Sequence, residues 1–264
     1  MRLALIALLA AACGTATDDP AEGPDATVGP DAPTIVDRDE DGLDDAYELK
    51  VAADYMPYIS LDPADGCALS GLLVRVRKHP ADASKLLVVY DHLFQSDCGF
   101  AGHVGDDEVF GVAIDPSRPA PGGVLAIKTA SHQGTACERI SECSTCGGTD
   151  TRRACDLAQG RPIVYPSKDK HGHYATQSHC SAFSTCLDQC TLAPSPQQAP
   201  IANAGEPGKP LLSNLTTGAF INPANGWTEA ALMNFDPWAP GDFGGAGSIA
   251  NDLVDPMFVP APCP

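Results

Sequence analysis

The sequence has few basic residues and no long apolar run. Its 16 Lys and Arg residues face 34 Asp and Glu residues, which gives a formal net charge of −18. Nucleic-acid binding is excluded as a function, because nothing basic is available to follow a phosphate backbone. The apolar run from Leu3 to Leu9 is too short to span a membrane, which takes about 20 apolar residues. A Gly-x-Ser-x-Gly elbow is also absent, which argues against a serine hydrolase.

The first residues have the pattern of an export signal. Arg2 supplies a positive charge, Leu3 to Leu9 form the apolar run, and three alanines precede Cys13. Small residues followed by cysteine resemble the lipobox of bacterial lipoproteins, although Leu9 lies four residues before the cysteine rather than three. The resemblance implies that residues 1–12 are a lipoprotein signal peptide and that Cys13 is acylated. A plain secretory signal with an incidental cysteine is the alternative.

Residues 13–36 have the composition of a lipid anchor and a disordered acidic linker. Gly, Ala, Thr, Pro and Asp dominate the stretch, and such a composition cannot bury a core. Twelve of the acidic residues lie between Asp18 and Glu48, so much of the negative charge belongs to the linker and the loop after it. The expected location is the bacterial cell envelope, with the lipid on Cys13 in the outer membrane or at the cell surface.

The cysteine count is odd, and removing Cys13 makes it even. Eleven cysteines minus one leaves ten, which in an exported chain predicts five disulfides. Spacing does not fix their connectivity. A redox centre or half a zinc site at the Cys143-x-x-Cys146 pair is the alternative. The ten cysteines are Cys67, Cys98, Cys137, Cys143, Cys146, Cys155, Cys180, Cys186, Cys190 and Cys263.

Residues 57–264 have the pattern of a mainly β domain. Short β-branched or apolar runs end at turn residues, and no long helices alternate with them. This favours an antiparallel β-sandwich with a few short helices and disulfide-stapled loops. The predicted strands are 71–77, 85–90, 108–114, 124–128 and 162–165. Helices are predicted over 44–55 and 228–234.

An acidic loop with calcium-ligand spacing precedes the first helix, so residues 37–56 are predicted to form an EF-hand-like calcium loop and helix. Calcium takes six to eight oxygens, and a twelve-residue loop supplies them from fixed positions, with glycine at the sixth. Here Gly42 is that glycine, and no helix enters the loop. The motif resembles the half-site loops of dockerins and thrombospondin type 3 repeats; an acidic linker end is the alternative. The predicted ligands are Asp37, Asp39, Asp41, the Leu43 carbonyl, Asp45 and Glu48.

We expect this calcium to be structural. The loop is predicted to be a local clip at the edge of the domain, beside the linker. Its loss should then fray one helix and leave the sandwich standing.

A second acidic group begins a predicted strand. Side chains alternate along a strand, so Asp106 and Glu108 should face the same way as Phe110. Two carboxylates at the mouth of an inward-facing row are unfavourable unless they are paired or bound to metal. Asp97 and His103 complete a predicted oxygen-rich site for calcium, magnesium or manganese. A surface hairpin with solvated acids is the alternative.

These residues resemble the necrosis- and ethylene-inducing-like proteins, or NLPs. The resemblance rests on His103-x-x-Asp106-x-Glu108, on Asp97, and on the later segment Ser131-His132-Gln133-Gly134. It implies a secreted β-sandwich cytolysin whose divalent-metal site engages sphingolipid headgroups. The NLP heptad Gly-His-Arg-His-Asp-Trp-Glu loses its second His and its Trp in residues 102–108 of this chain.

A second resemblance is to vacuolar protein sorting-associated proteins of the sixty-two type. It rests on residues 53–63, on His103 to Glu108, and on Val164-Tyr165 followed by His171 and His173. His132, His171 and His173 are therefore candidate additional metal ligands. Exposed loop histidines are the alternative.

Together these features predict a lipid-anchored surface protein that is not an enzyme. Its partners would be the membrane, through the lipid on Cys13, and a glycan or a lipid headgroup bound through the second metal site. A metal-dependent hydrolase and a purely structural, calcium-stabilised envelope protein remain the alternatives.

Overall fold

The structure is a computed structural model that describes residues 35–100, 102, 104–132, 135–181, 186–193, 199–206, 209–210, 212–213 and 258–264. Several predictions lie outside these residues. They concern the signal peptide over 1–12, Cys13 and nearly all of the linker, His103, the Gln133-Gly134 pair and the helix over 228–234.

The described residues form a mainly β structure, as predicted. All five predicted strands are present, and helix α1 begins one residue after the predicted start. The elements are α1 (Asp45–Tyr55), β1 (Tyr58–Ile59), β2 (Ser70–His79), β3 (Asp82–Ser96), β4 (Val104–Ile114), β5 (Val124–Ser131), β6 (Arg139–Ser144), β7 (Leu157–Ala158), β8 (Arg161–Pro166), β9 (His173–Tyr174), α2 (Gln177–Ser181) and β10 (Ile201–Asn203).

The strands form two sheets. The large sheet has the order β10-β2-β3-β4-β5-β6, and the small sheet has the order β1-β8-β7 with β9 also paired to β8. Most pairs are antiparallel, but β10 runs parallel to β2 and β1 runs parallel to β8. The two-sheet arrangement confirms the predicted sandwich. The two parallel pairs bring distant parts of the chain beside each other.

The main core lies on one face of the large sheet. Tyr90 of β3 pairs with Val74 of β2 and with Phe110 of β4, and its ring stacks on Phe110 at 4.9 Å. Phe110, Val112 and Ile114 all belong to this core. The alternation predicted for β4 is therefore confirmed, and it directs Asp106 and Glu108 toward the same side.

The other face of the large sheet is covered by the end of the chain. Phe258 packs against Val89 and Val109 in a second cluster. At Gly111 the chain approaches so closely that a Cβ atom would lie 1.7 Å from the carbonyl oxygen of Phe258. A glycine is required there because any side chain would displace this final segment.

Helix α1 is part of the main core. Val51, Ala52 and Tyr55 are buried on its inner face and contact the same cluster as the sheet residues. The Tyr90 hydroxyl, from the middle of the sheet, donates to the carbonyl of Ala52 at 2.8 Å. Helix α1 is therefore a layer over the core, and the fraying of this helix on loss of calcium stays a prediction.

All ten cysteines after Cys13 are paired, which confirms the five predicted disulfides. Cys143 and Cys146 bind different partners, so the redox and zinc alternatives for this pair do not apply. The final segment is held by Arg152, which donates to the carbonyls of Ala261 and Pro262 at 2.6 and 3.3 Å. The pairs are Cys67–Cys98, Cys137–Cys186, Cys143–Cys155, Cys146–Cys263 and Cys180–Cys190.

Neither of the two helices in the described part of the chain is long and apolar enough to cross a membrane.

Candidate functional site

The acidic loop before α1 is tightly wrapped by its own carboxylates. Asp37 accepts hydrogen bonds from the backbone N–H groups of Asp41 at 3.2 Å and Gly42 at 3.0 Å. Gly42 has φ 85°, a left-handed conformation that glycine adopts without strain. Asp45 accepts from the backbone N–H of Arg38 at 3.0 Å and from its Nε at 2.5 Å. The predicted glycine is therefore at the turn.

The loop is continuous with α1. Asp44 caps the helix by accepting from the N–H groups of Ala46 at 3.1 Å and Tyr47 at 3.0 Å. Leu43, whose carbonyl is a predicted ligand, donates its own N–H to Asp41 Oδ1 at 2.7 Å and packs against the main core. The predicted ligands are thus fixed between the helix cap and the core.

Three carboxylate oxygens of this loop are buried without a partner. Asp39 Oδ1, Asp41 Oδ2 and Glu48 Oε1 have no hydrogen-bond donor among the described residues. Ligand atoms of these three residues lie within 4.8 Å of one another, as do those of Asp37, Asp39 and Asp45. Burial and mutual repulsion raise the pKa of Glu48 to about 9 and that of Asp41 to about 6. These oxygens fit a hard cation such as calcium.

A second group of carboxylates, here called the acidic cluster, lies at one end of the large sheet. It consists of Asp65, Asp97, Asp106, Glu108 and Asp188. Asp106 and Glu108 of β4 stand opposite Phe94 and His92 of β3. Asp97, Asp106, Glu108 and Asp188 are each at most 7% exposed. The alternative of a hairpin with solvated acids is therefore wrong.

Lys170 neutralises one member of the acidic cluster, Asp97. Its Nζ forms an ion pair with the Asp97 carboxylate and also donates to the carbonyl of Phe100 at 2.9 Å. The Gly99 N–H donates to the same carboxylate at 2.6 Å. Lys170 therefore binds a carboxylate oxygen of Asp97, a residue that the sequence predicted as a metal ligand.

His171 joins two other members of the cluster. Its Nδ1 lies 2.8 Å from Asp106 Oδ2 and its Nε2 lies 3.4 Å from Asp65 Oδ1, while its ring stacks on Phe94 at 3.7 Å. Burial lowers the pKa of His171, but the two carboxylates outweigh it and raise the pKa to about 9. His171 is therefore a cation at neutral pH, with both ring nitrogens engaged.

His173 is buried beside a second histidine. Its Nε2 lies 2.9 Å from His92 Nδ1, and its ring lies 5.4 Å from that of Phe110. Burial and the positive charge of His171 lower the pKa of His173 to about 3. The pKa of His92 also lies well below its usual value, because of burial and of repulsion from the nearby charged ring of His171. Both histidines are therefore neutral. The alternative of exposed loop histidines is wrong for His171 and His173.

Asp188 connects His132 to the acidic cluster. Its Oδ2 lies 2.7 Å from His132 Nε2 and also accepts from the Tyr174 hydroxyl at 2.7 Å. Burial raises the pKa of Asp188, but these two hydrogen bonds lower it below its usual value. This arrangement leaves His132 Nδ1 as the ring nitrogen not bonded to Asp188.

Glu108 is the member of the cluster that lacks a cation. No Lys, Arg or His nitrogen in the described part of the chain lies within 4.0 Å of its carboxylate, and its Oε2 has no hydrogen-bond partner there. Burial, together with the charges of Asp106 and of neighbouring acids, raises the pKa of Glu108 well above its usual value. This carboxyl must hold a proton or face a cation.

The ligand atoms of the second predicted metal site do not all converge. Among the described residues, two groups bring three Asp, Glu, His or Cys ligand atoms within 4.8 Å of one another. Both groups belong to the predicted calcium loop, which ends at Glu48. Asp97, Asp106 and Glu108 do not form such a group, and His103 lies outside the described residues. A metal at this site stays a prediction.

Four residues around the acidic cluster have left-handed backbone conformations. They are His132 (φ 54°), Asp169 (φ 61°), His171 (φ 57°) and Leu187 (φ 70°). Left-handed geometry is unfavourable for a residue with a side chain, and it persists where the surrounding structure imposes it. Their grouping around one set of buried acids marks this region as the candidate functional site.

Sequence reasoning missed several residues of this site. Asp65, Lys170 and Asp188 come from loops and match no motif, while His92 lies inside a strand that was expected to end at residue 90. The sequence marks Asp65, Lys170 and Asp188 in one way only: each is a charged residue close to a candidate histidine or a cysteine. That signal does not say which of them meet in space.

Comparisons with known proteins give structural neighbours only. No family model matches the chain, and no curated protein sequence matches it. One solved structure is described as a toxin fold for microbial attack and plant defense; it has 15% identity and TM-score 0.33, covering 58% of this chain and 72% of that one. NLPPya in complex with glucosamine has 14% identity and TM-score 0.36, covering 62% and 74%. The mannosamine complex has 14% identity and TM-score 0.36, covering 59% and 73%. Likeness at this level assigns no ligand and no activity.

Proposed function

We propose that this protein is a surface-anchored binding protein whose acidic cluster holds a divalent cation and, through it, a polyol ligand. The ligand class is a glycan or the headgroup of a membrane lipid. The cation would bridge protein carboxylates and ligand hydroxyls, which are oxygen ligands of the kind that calcium, magnesium and manganese accept.

The observation that carries this proposal is the unmatched charge of Glu108. Lys170 pairs with Asp97, and His171 bridges Asp65 and Asp106. His132 pairs with Asp188. After these pairings the buried Glu108 has a carboxylate oxygen with no partner among the described residues. A buried ionised carboxylate is unfavourable by several kcal/mol without compensation, and a bound cation would supply it.

A metal-dependent hydrolase is the second candidate, favoured by the pairing of His132 with Asp188. A carboxylate that holds one imidazole nitrogen leaves the other available as a proton acceptor. His132 would then accept a proton from a water molecule, and Asp188 would fix the orientation of the ring. A divalent cation held by the acidic cluster would supply the chemistry that lowers the pKa of that water. Loss of turnover with retained ligand binding in a His132→Ala variant would favour this candidate over the binding protein.

The test of the binding function is titration of the wild type and of Glu108→Gln with calcium, magnesium and manganese. Gln keeps the shape of the side chain and removes its charge, so the variant should fold and bind one metal ion fewer. It should also lose binding to glycan arrays and to liposomes of defined headgroup. Glu138→Gln, a partly exposed carboxylate next to β6, is the matched control and should behave as the wild type. An unchanged metal count in Glu108→Gln would refute the site.

The surface location is the second part of the proposal, and it rests on the sequence before Cys13. An acylated Cys13 would place the full chain in the detergent phase of a phase-separation assay, because a lipid chain contributes about 0.8 kcal/mol for each buried CH₂. We expect Cys13→Ser to move the protein to the aqueous phase. Mass spectrometry of the native protein should find a lipid on an N-terminal Cys13. Any other N-terminus would contradict the anchor.

A further inference from the structure

The calcium loop is completed by a segment that is far from it in sequence. Residues 203–206, here called the strap, begin at the last residue of β10 and contact the loop before α1. Two of the loop's ligands contact the strap: Asp39 Oδ2 accepts from the backbone N–H of Glu206 at 2.9 Å, and Glu48 Oε2 lies 3.4 Å from Asn203 Nδ2. Each contact uses one oxygen of a carboxylate and leaves the other, Asp39 Oδ1 or Glu48 Oε1, without a partner among the described residues.

The strap is itself fixed to the large sheet. Asn203 pairs with Val74 of β2, and the carbonyl of Gly205 accepts from the buried Arg75 Nε at 2.5 Å. Arg77, also on β2, binds the carboxylate of Glu206 at 3.1 Å from Nε and 2.5 Å from Nη2. The strap atoms that contact Asp39 and Glu48 are therefore held in place by strand β2 of the large sheet.

The side-chain amide of Asn203 is oriented so that its nitrogen faces Glu48. Its side-chain oxygen accepts from the backbone N–H of Gly205 at 3.1 Å, which leaves the amide nitrogen toward the Glu48 carboxylate. Asn203 is 2% exposed and Glu48 is fully buried, so water does not replace this contact. Gly205 has φ 72°, and a Cβ there would lie 3.1 Å from Asp39 Oδ2. The close contact between the strap and the loop therefore depends on both the side-chain amide of Asn203 and Gly205.

The basic side chains near the loop pair with other carboxylates and leave those of Asp39 and Glu48 for a metal cation. Arg38 pairs with Asp45 and Arg77 pairs with Glu206. Within the described ranges, no Lys, Arg or His nitrogen lies within 4.0 Å of Asp39 or Glu48. Asp39 is 1% exposed, so neither ligand can be screened by solvent.

We infer that calcium in this loop is a clasp between α1 and the large sheet, and that Asn203 is the positioning residue that sets its affinity. The loop supplies the ligands, and the strap holds two of them in the binding geometry. Calcium binding and the docking of α1 on the core are then a single event. This inference is independent of the acidic cluster and of any ligand bound there.

The test is the calcium affinity of the folded protein, measured by calorimetric titration with calcium alone. Asn203→Ala leaves the twelve loop residues intact, and Asn203→Leu also keeps the buried volume. Loss of a partner that orients a metal ligand typically weakens metal affinity 10- to 100-fold, so both variants should bind calcium at least about 10-fold more weakly than the wild type. Thr129→Val is the matched control. Thr129 is a buried polar residue of the same sheet that contacts Ser141 at 3.3 Å, and its variant should keep wild-type affinity.

Hydrogen exchange supplies a second readout that does not depend on affinity. In chelator, the amides of α1 should exchange faster while those of β3 and β4 stay protected. In saturating calcium, Asn203→Ala should regain wild-type protection of α1. Folded Asn203 variants with calcium affinity within about 2-fold of the wild type would overturn the inference, and so would α1 protection that does not respond to calcium.

Discussion

Chelation of calcium should lower the melting temperature of this protein by roughly 5–11 °C. A ligand present at 100 times its dissociation constant stabilises the folded state by about 2.7 kcal/mol, and in a domain of this size each kcal/mol shifts the midpoint by about 2–4 °C. The expected effect is large for a surface loop, because α1 covers the main core through Val51, Ala52 and Tyr55. Differential scanning calorimetry in calcium and in chelator measures it.

Two variants assign that shift to the loop. Glu48→Gln removes a ligand charge, so the melting temperature of this variant should be nearly the same with and without calcium. Without calcium it should melt at or above the wild type, because a buried carboxyl beside Asp39 and Asp41 no longer has to be neutralised. Glu108→Gln leaves the loop intact, so it should keep the part of the response that comes from the loop. A wild-type melting temperature that ignores calcium would contradict the clasp.

Removing the disulfide Cys146–Cys263 should lower the free energy of unfolding by about 4–5 kcal/mol. The bond spans 117 residues, and the entropy of the unfolded chain that a crosslink removes grows with the length of the loop it closes. It also holds the final segment, whose Phe258 packs against Val89 and Val109. The double variant Cys146→Ala/Cys263→Ala can be compared with the wild type by denaturant unfolding.

The pair Cys180–Cys190 is the matched control for that measurement. It spans 10 residues, so its removal by two alanine substitutions should lower the free energy of unfolding by about 3 kcal/mol. Equal losses from the two double variants would mean that loop length does not govern the effect. A smaller loss for the 117-residue pair would mean that the final segment stays docked without its crosslink.

Local features of this protein could be predicted from the sequence. The loop before α1 has all of its predicted ligands within twelve residues, so their spacing alone indicates where they lie. The strands over 71–77 and 108–114 were identified because apolar residues repeat there and end at turn residues. The facing of Asp106 and Glu108 followed from the two-residue period of a strand, and it needs no knowledge of the rest of the chain.

Contacts between distant segments could not be predicted in this way. Asp188 meets His132 across 56 residues, and Asn203 meets Glu48 across 155. Neither pair has a motif, because each contact depends on where the fold places two segments that are distant in the sequence. Strand β3 was expected to end at residue 90, since Asp91 and His92 interrupt its apolar pattern. It continues to Ser96 because pairing with both β2 and β4 supports the polar residues.

The disulfide connectivity carries a consequence for how this chain matures. Among the ten paired cysteines, Cys67–Cys98 is the one bond between neighbours in chain order. Four other cysteines lie between Cys137 and its partner Cys186, and four lie between Cys146 and its partner Cys263. A chain oxidised as it emerges N-terminus first, each new thiol joining the last free one, would form one native bond and four wrong ones. Correct pairing then proceeds through thiol–disulfide exchange, which takes seconds to hours depending on the isomerase. Oxidation in chain order would therefore require a shuffling thiol as well as an oxidant.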